Sequence, residues 1–86
     1  MFKYLYSGSE ISIDFFNVLQ GVDQVGNFTV DHTSSTSIVN YDENLKIIVD
    51  KEKIMFYSKY ELSEYDMLLI ILQINSDIVS NFYQTG

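Results

Sequence analysis

The 86-residue sequence contains no cysteine, no proline and no tryptophan, and all five of its cationic side chains are lysines. Without cysteine there is no disulfide framework, no thiolate nucleophile and no sulfur ligand for zinc or an iron–sulfur cluster, so packing alone must hold the fold together. Without arginine nothing can fork onto a phosphate or a guanine. Twelve acidic residues against those lysines leave a formal net charge of −7 and a pI near 4.2. A nucleic-acid binder needs a basic stripe that displaces counterions from phosphates, so direct binding to DNA or RNA is not expected. Glycine occurs only singly, at 8, 21, 26 and 86, and no phosphate-cradling loop can be spelled from it; neither nucleotide chemistry nor a cofactor is expected.

Long hydrophobic runs are also missing. The longest, Met67-Leu68-Leu69-Ile70-Ile71-Leu72, is bounded by Asp66 and Gln73, whereas a membrane-spanning helix needs about 20 apolar residues. The opening Met1-Phe2-Lys3-Tyr4-Leu5-Tyr6-Ser7-Gly8 has neither the charged start nor the longer apolar stretch of a signal peptide, and a cytoplasmic protein is expected. What the chain does have is apolar material, 47% of its residues. A chain of this length buries only roughly 60–65% of its unfolded surface, so these residues must be used efficiently. No repeat and no linker interrupts it, and residues 1–86 read as one small α+β domain.

Residues 10–20 are ambiguous. Ile11, Ile13 and Phe15 alternate as in a strand, while Ile11, Phe15, Val18, Leu19 and Val22 fall at helical spacing. Ser7 three residues before Glu10 fits a capping box, and Gly21 stands where a helix would stop, which favours helix. The alternative is a hairpin of 2–6 with 10–16 across Ser7-Gly8-Ser9. From Val25 to Tyr60 the pattern is that of an antiparallel meander of four strands, at 27–31, 37–41, 45–49 and 54–57, with turns at Asp42-Glu43-Asn44 and at 50–53. Alternation puts Phe28, Val30, Leu45, Ile47, Val49, Ile54 and Phe56 on its covered face.

The last segment reads as a long helix. Ser63 suits the N-cap with Asp66 three residues on, and Glu64 and Asp66 complement the helix dipole in the first turn. Leu68, Leu72, Val79 and Phe82, with Ile71 and Ile78 beside them, make its apolar sector wider than one face. The expected architecture is a four-stranded antiparallel β-meander with an N-terminal helix and a longer C-terminal helix packed on one face. The surplus apolar surface of that helix points to self-association, most simply a two-fold dimer.

Chemistry-bearing patterns are sparse. His32 is the sole histidine, and although Asp31, Thr33, Ser34 and Ser35 surround it, neighbours on an extended strand point to opposite faces and make no triad. It reads as an exposed strand-end histidine. One histidine and no cysteine leave no transition-metal set, and the acidic turns lack a calcium-loop pattern. Glu61, Glu64 and Asp66 sit at a solvated helix start, which does not raise a carboxyl pKa as general acid catalysis requires. An enzyme is not expected.

Above this background stands the co-location of acids and tyrosines in Tyr57-Ser58-Lys59-Tyr60-Glu61-Leu62-Ser63-Glu64-Tyr65-Asp66, while residues 60–86 carry four acids and no base. Folded carboxylate surfaces imitate the phosphates of a nucleic-acid strand and steer toward lysine- and arginine-lined grooves, and tyrosine supplies contact area at low entropic cost. The isoleucine-, asparagine-, tyrosine- and lysine-rich usage suggests an AT-rich genome, and small acidic domains without motifs are a common form of phage and mobile-element inhibitor. The expectation is a protein-binding inhibitor that occludes the nucleic-acid groove of a basic host nuclease, such as a CRISPR effector, by mimicry. Tyr57, Tyr60, Glu61, Glu64 and Asp66 are the expected contacts, with Asp42 and Glu43 as a second patch. The alternative expectation is a homodimeric structural or assembly protein without an enzymatic target.

Overall fold

The computed structural model describes residues 2–6 and 9–84, with Ser9 and 81–84 described by backbone only. The elements follow in the order β1 (Phe2–Tyr6), α1 (Ser9–Leu19), β2 (Gln24–Val25), β3 (Phe28–His32), β4 (Ser37–Asp42), β5 (Leu45–Val49), β6 (Ile54–Ser58) and α2 (Glu64–Gln84). The strands form one antiparallel sheet in the spatial order β1-β6-β5-β4-β3-β2.

The α+β class, the two helices and the antiparallel sheet agree with the sequence reading, but the sheet has six strands where four were expected. The four expected strands are β3 to β6. The fifth, β1, pairs with β6 so that Tyr4 faces Phe56 and Tyr6 faces Ile54. Residues 2–6 are thus extended without the hairpin to 10–16, because residues 9–19 are helical. Pairing across half the chain leaves no mark on local periodicity, yet it satisfies the free backbone edge of β6. The sixth strand, β2, is two residues joined to β3 through Gly26-Asn27. Gly26 has φ +57°, as the first position of a type II′ turn requires.

Helix α1 forms because Ser12, Phe15, Phe16 and Leu19 recur at i, i+3, i+4 and i+7 and are all buried, while Ile11 and Ile13 point outward. It ends as the sequence suggested: the Val22 N–H donates to the Leu19 carbonyl at 3.1 Å, and Gly21 takes φ +75°. Ser7, the expected capping residue, lies outside the described residues. Since β1 and β2 are opposite edges of the sheet, α1 carries the chain from one edge to the other.

One sheet face is covered. Val30, Val39, Leu45, Ile47, Val49, Ile54 and Phe56 are buried there with Phe15 and Leu19 of α1 and Met67, Ile71, Ile74 and Ile78 of α2. Phe28, expected in the core, is half-buried and stacks on Tyr41 with ring centroids 5.0 Å apart. Helix α2 begins with a reciprocal cap, in which the Asp66 N–H donates to Ser63 Oγ at 3.1 Å and the Ser63 N–H donates to Asp66 Oδ2 at 3.0 Å. Its buried stripe differs from the expected one. Met67, Ile71, Ile74 and Ile78 face the sheet, while Leu72 and Val79 are 53% and 48% exposed and Leu68 is half-buried; Phe82 lies outside the described side chains. A helix apolar nearly all round has no periodic signal that singles out its core face.

Truncation of an apolar side chain on α2 should therefore have different effects at two nearby positions. Ile74→Ala is expected to cost about 2–5 kcal/mol in urea unfolding, whereas Leu72→Ala, at micromolar protein, should stay within about 0.5 kcal/mol of the parent.

Candidate functional site

The expected contact residues converge on one end of the sheet through turn chemistry. At the β4–β5 turn the Asn44 N–H donates to Asp42 Oδ1 at 2.6 Å, just after the register shifts between Asn40 and Asp42. This turn is tied to the segment leaving β6, since the Lys59 N–H donates to the Asn44 carbonyl at 2.9 Å. Ser58, fully buried, then folds that segment: its hydroxyl donates to the Tyr60 carbonyl at 2.7 Å and accepts the Tyr60 N–H at 3.0 Å. Tyr60 is thereby set beside Asp42. Partial burial, then the charge of Asp42 and the neighbouring Tyr41, raise the Tyr60 phenol above its usual pKa.

Two shallow grooves share this corner. The first is lined by Tyr60, Glu61, Leu62, Asp66, Leu69 and Ile70, so three of the expected contacts stand beside apolar α2 residues. The second, with a volume near 430 Å³, joins Asp42 and Glu43 to Tyr57, Ile48, Lys46 and Lys59. Glu64 lines neither and is exposed in the first turn of α2. The two patches that are separate in sequence are thus adjacent in the fold.

The sequence reading missed the lysines. Cross-strand register places Lys3, Tyr57 and Lys46 in one row on the uncovered sheet face, and the Lys3 ammonium lies 5.6 Å from the centre of the Tyr57 ring. Asp42 and Glu43 therefore face a mixed surface, with lysines among the acids. The two helices themselves carry acids and no base, Glu10 and Asp14 on α1 and Glu64, Asp66 and Asp77 on α2, with Glu61 just before α2; Lys59 precedes Glu61, and the Lys51 ammonium lies 5.9 Å from the centre of the Phe16 ring of α1. The available signal was the alternation of Lys46 with Leu45 and Ile47, and of Lys3 with Tyr4, which marks both lysines as facing away from the core.

His32 does more than cap a strand. One ring nitrogen, Nε2, donates to the Val22 carbonyl at 2.8 Å, and Nδ1 lies 2.9 Å from Ser37 Oγ; Asp23 Oδ1 is 4.0 Å from Nε2. A carbonyl only accepts, which fixes the proton on Nε2. The string Ser37, His32, Asp23 resembles a triad in composition alone. Ser37 is fully buried, out of reach of any substrate, and the nitrogen nearest Asp23 is committed to a backbone carbonyl. The imidazole instead ties the sheet to the segment after α1. Among the described residues no three metal-ligating side chains gather, and no helix is long and apolar enough to cross a membrane.

Set against protein-family models, curated proteins and solved structures, the chain has no match in any of the three comparisons.

Two outcomes follow from this geometry. His32→Ala should cost about 1–3 kcal/mol by leaving the Ser37 hydroxyl buried without its partner, and His32→Ala/Ser37→Ala should cost less than the two single changes added together. In ultraviolet titration, Tyr60→Phe should remove a phenol step lying above the usual value of about 10. Because the folded state favours the neutral phenol, its contribution to stability is full below that usual value and is lost as pH rises through the raised one.

Proposed function

We propose that this chain is a non-enzymatic protein-binding module that occludes the nucleic-acid groove of a basic protein, in the manner of a phage or mobile-element inhibitor. The observation that carries this reading is the acidity of the two helices, five carboxylates at Glu10, Asp14, Glu64, Asp66 and Asp77 with no lysine in either helix, joined by Glu61 just before α2. Rigid elements hold those carboxylates at fixed spacing, as a nucleic-acid mimic needs, and Tyr60 and Leu69 beside Glu61 and Asp66 supply the apolar contact that makes a charged encounter last. The acids in and just before α2 put the weight on Tyr60, Glu61, Glu64 and Asp66; Asp42, Glu43 and Tyr57 stand among lysines and contribute less.

The test is retention of a cationic nucleic-acid-binding protein on the immobilised chain. Binding should fall steeply with rising salt and yield to added duplex DNA, because both act on the same contacts. Glu61→Gln/Glu64→Gln should weaken it several-fold, while Asp31→Asn, on the uncovered sheet face, should not. Binding that ignores both salt and DNA overturns the proposal.

A further inference from the structure

The uncovered sheet face gathers lysines around an apolar row, with Asp31 at the end of that row and Asp42 and Glu43 at its rim. Register aligns Leu5, Met55, Ile48 and Ile38 across β1, β6, β5 and β4 as one apolar row, with Lys3, Tyr57 and Lys46 in the row beside it. Lys53 lines a groove of about 250 Å³ with Lys3, Leu5, Met55 and Tyr57, and Lys59 lines the neighbouring one with Lys46 and Ile48. Four of the five lysines of a chain with net charge −7 thus gather on or around one half-apolar face. Leu5 is 59% exposed there, and among the described residues no element covers it.

The helical layer offers the complementary surface. Tyr65, Leu69, Leu72 and Val79 form an outward stripe on α2, nearly opposite the buried Met67, Ile71, Ile74 and Ile78. At about 100° per residue Glu64 lies on one flank of that stripe and Asp66 and Asp77 on the other. An apolar stripe between carboxylates matches an apolar row between lysines. A two-fold dimer joined helix to helix would set five carboxylates of α1 and α2 against the same five, and one joined sheet to sheet would set lysines against lysines. Contact of unlike faces sets the lysine-free helices against the lysines of the sheet face.

We propose that the uncovered sheet face is the docking site for helix α2 of a second copy of this chain, an association of unlike faces in which Leu69 and Leu72 of one copy cover Met55 and Ile48 of the next while Glu64 and Asp66, on the two flanks of the stripe, meet Lys3 and Lys46 on one side of the apolar row and Lys53 on the other. Such an interface leaves each added copy with a free face of each kind, so it propagates into open chains or closes into a ring, and does not stop at two. The surfaces invoked are the chain's own, so the inference holds whatever basic partner the acidic side also accepts.

Sedimentation of the wild-type chain at rising concentration should show mass growing past that of two copies and falling back as salt is added. Lys3→Glu/Lys46→Glu, which spoils the sheet face, and Glu64→Lys/Leu69→Lys, which spoils the helix face, should each weaken association by about a hundredfold, since like charges set against each other at an interface are strongly unfavourable. Mixed together, they should form a complex of two copies and nothing larger, because each retains the face the other lacks. A measurement without variants is carbodiimide coupling of mixed light and heavy isotope-labelled chains, which should join Lys3 or Lys46 of one label to Glu64 or Asp66 of the other. A wild-type chain that stays monomeric overturns the proposal. So does a mixture with no complex, a sheet-face variant that associates like the parent, or coupling confined within single chains.

Discussion

Two helices cover one face of a six-stranded sheet, and the described chain has no third layer for the other. That constraint organises the molecule. The covered face takes Phe56, Ile47 and Val39 in the centre, with Phe15, Leu19, Ile71 and Ile74 over them, all without exposed surface. The opposite face keeps Ile38, Ile48 and Met55 half-buried and Leu5 largely exposed, in one register row. An antiparallel sheet tolerates one wet face, and the lysines on this one keep it compatible with water.

Charge follows the same division. The residues of α1 and α2 include five carboxylates and no lysine, whereas the uncovered sheet face and its rim hold Lys3, Lys46, Lys53 and Lys59. The net charge of −7 conceals this polarity, since a sum carries no direction. The molecule has one apolar stripe flanked by acids alone and one apolar row flanked by lysines, and on the two proposed readings the first meets a basic partner and the second meets a further copy of the chain. Both readings use α2, so occupancy by a basic partner and by a second copy would compete.

Much of the fold could be read from local pattern. Strands β3 to β6 alternate cleanly, Asp42 and Asp50 close their turns through their own side chains, and the Ser63–Asp66 cap marks the start of α2. For 9–19, Gly21 and the helical spacing of Phe15 and Leu19 outweighed the alternation of Ile11 and Ile13. The pairing of β1 with β6 was not legible, because its partners are separated by most of the chain and the five residues of β1 carry no signal naming β6. Nor was the choice of core face on α2, where apolar residues lie on all sides and only contact with the sheet selects Met67, Ile71, Ile74 and Ile78.

The site divides along the same line. Sequence alone determined that the chain is acidic, holds no cysteine and a single histidine, and places tyrosines and carboxylates together between β6 and α2, because those are properties of composition and short spacing. Only the tertiary structure decided that Asp42 stands beside Tyr60, that Ser37 and His32 are spent on holding the fold, and that Lys3 and Lys46 share one row on a face that none of the described elements covers. Each of these depends on strand register, and register is set by which side chains the assembled core can bury, a choice made between segments far apart in the chain.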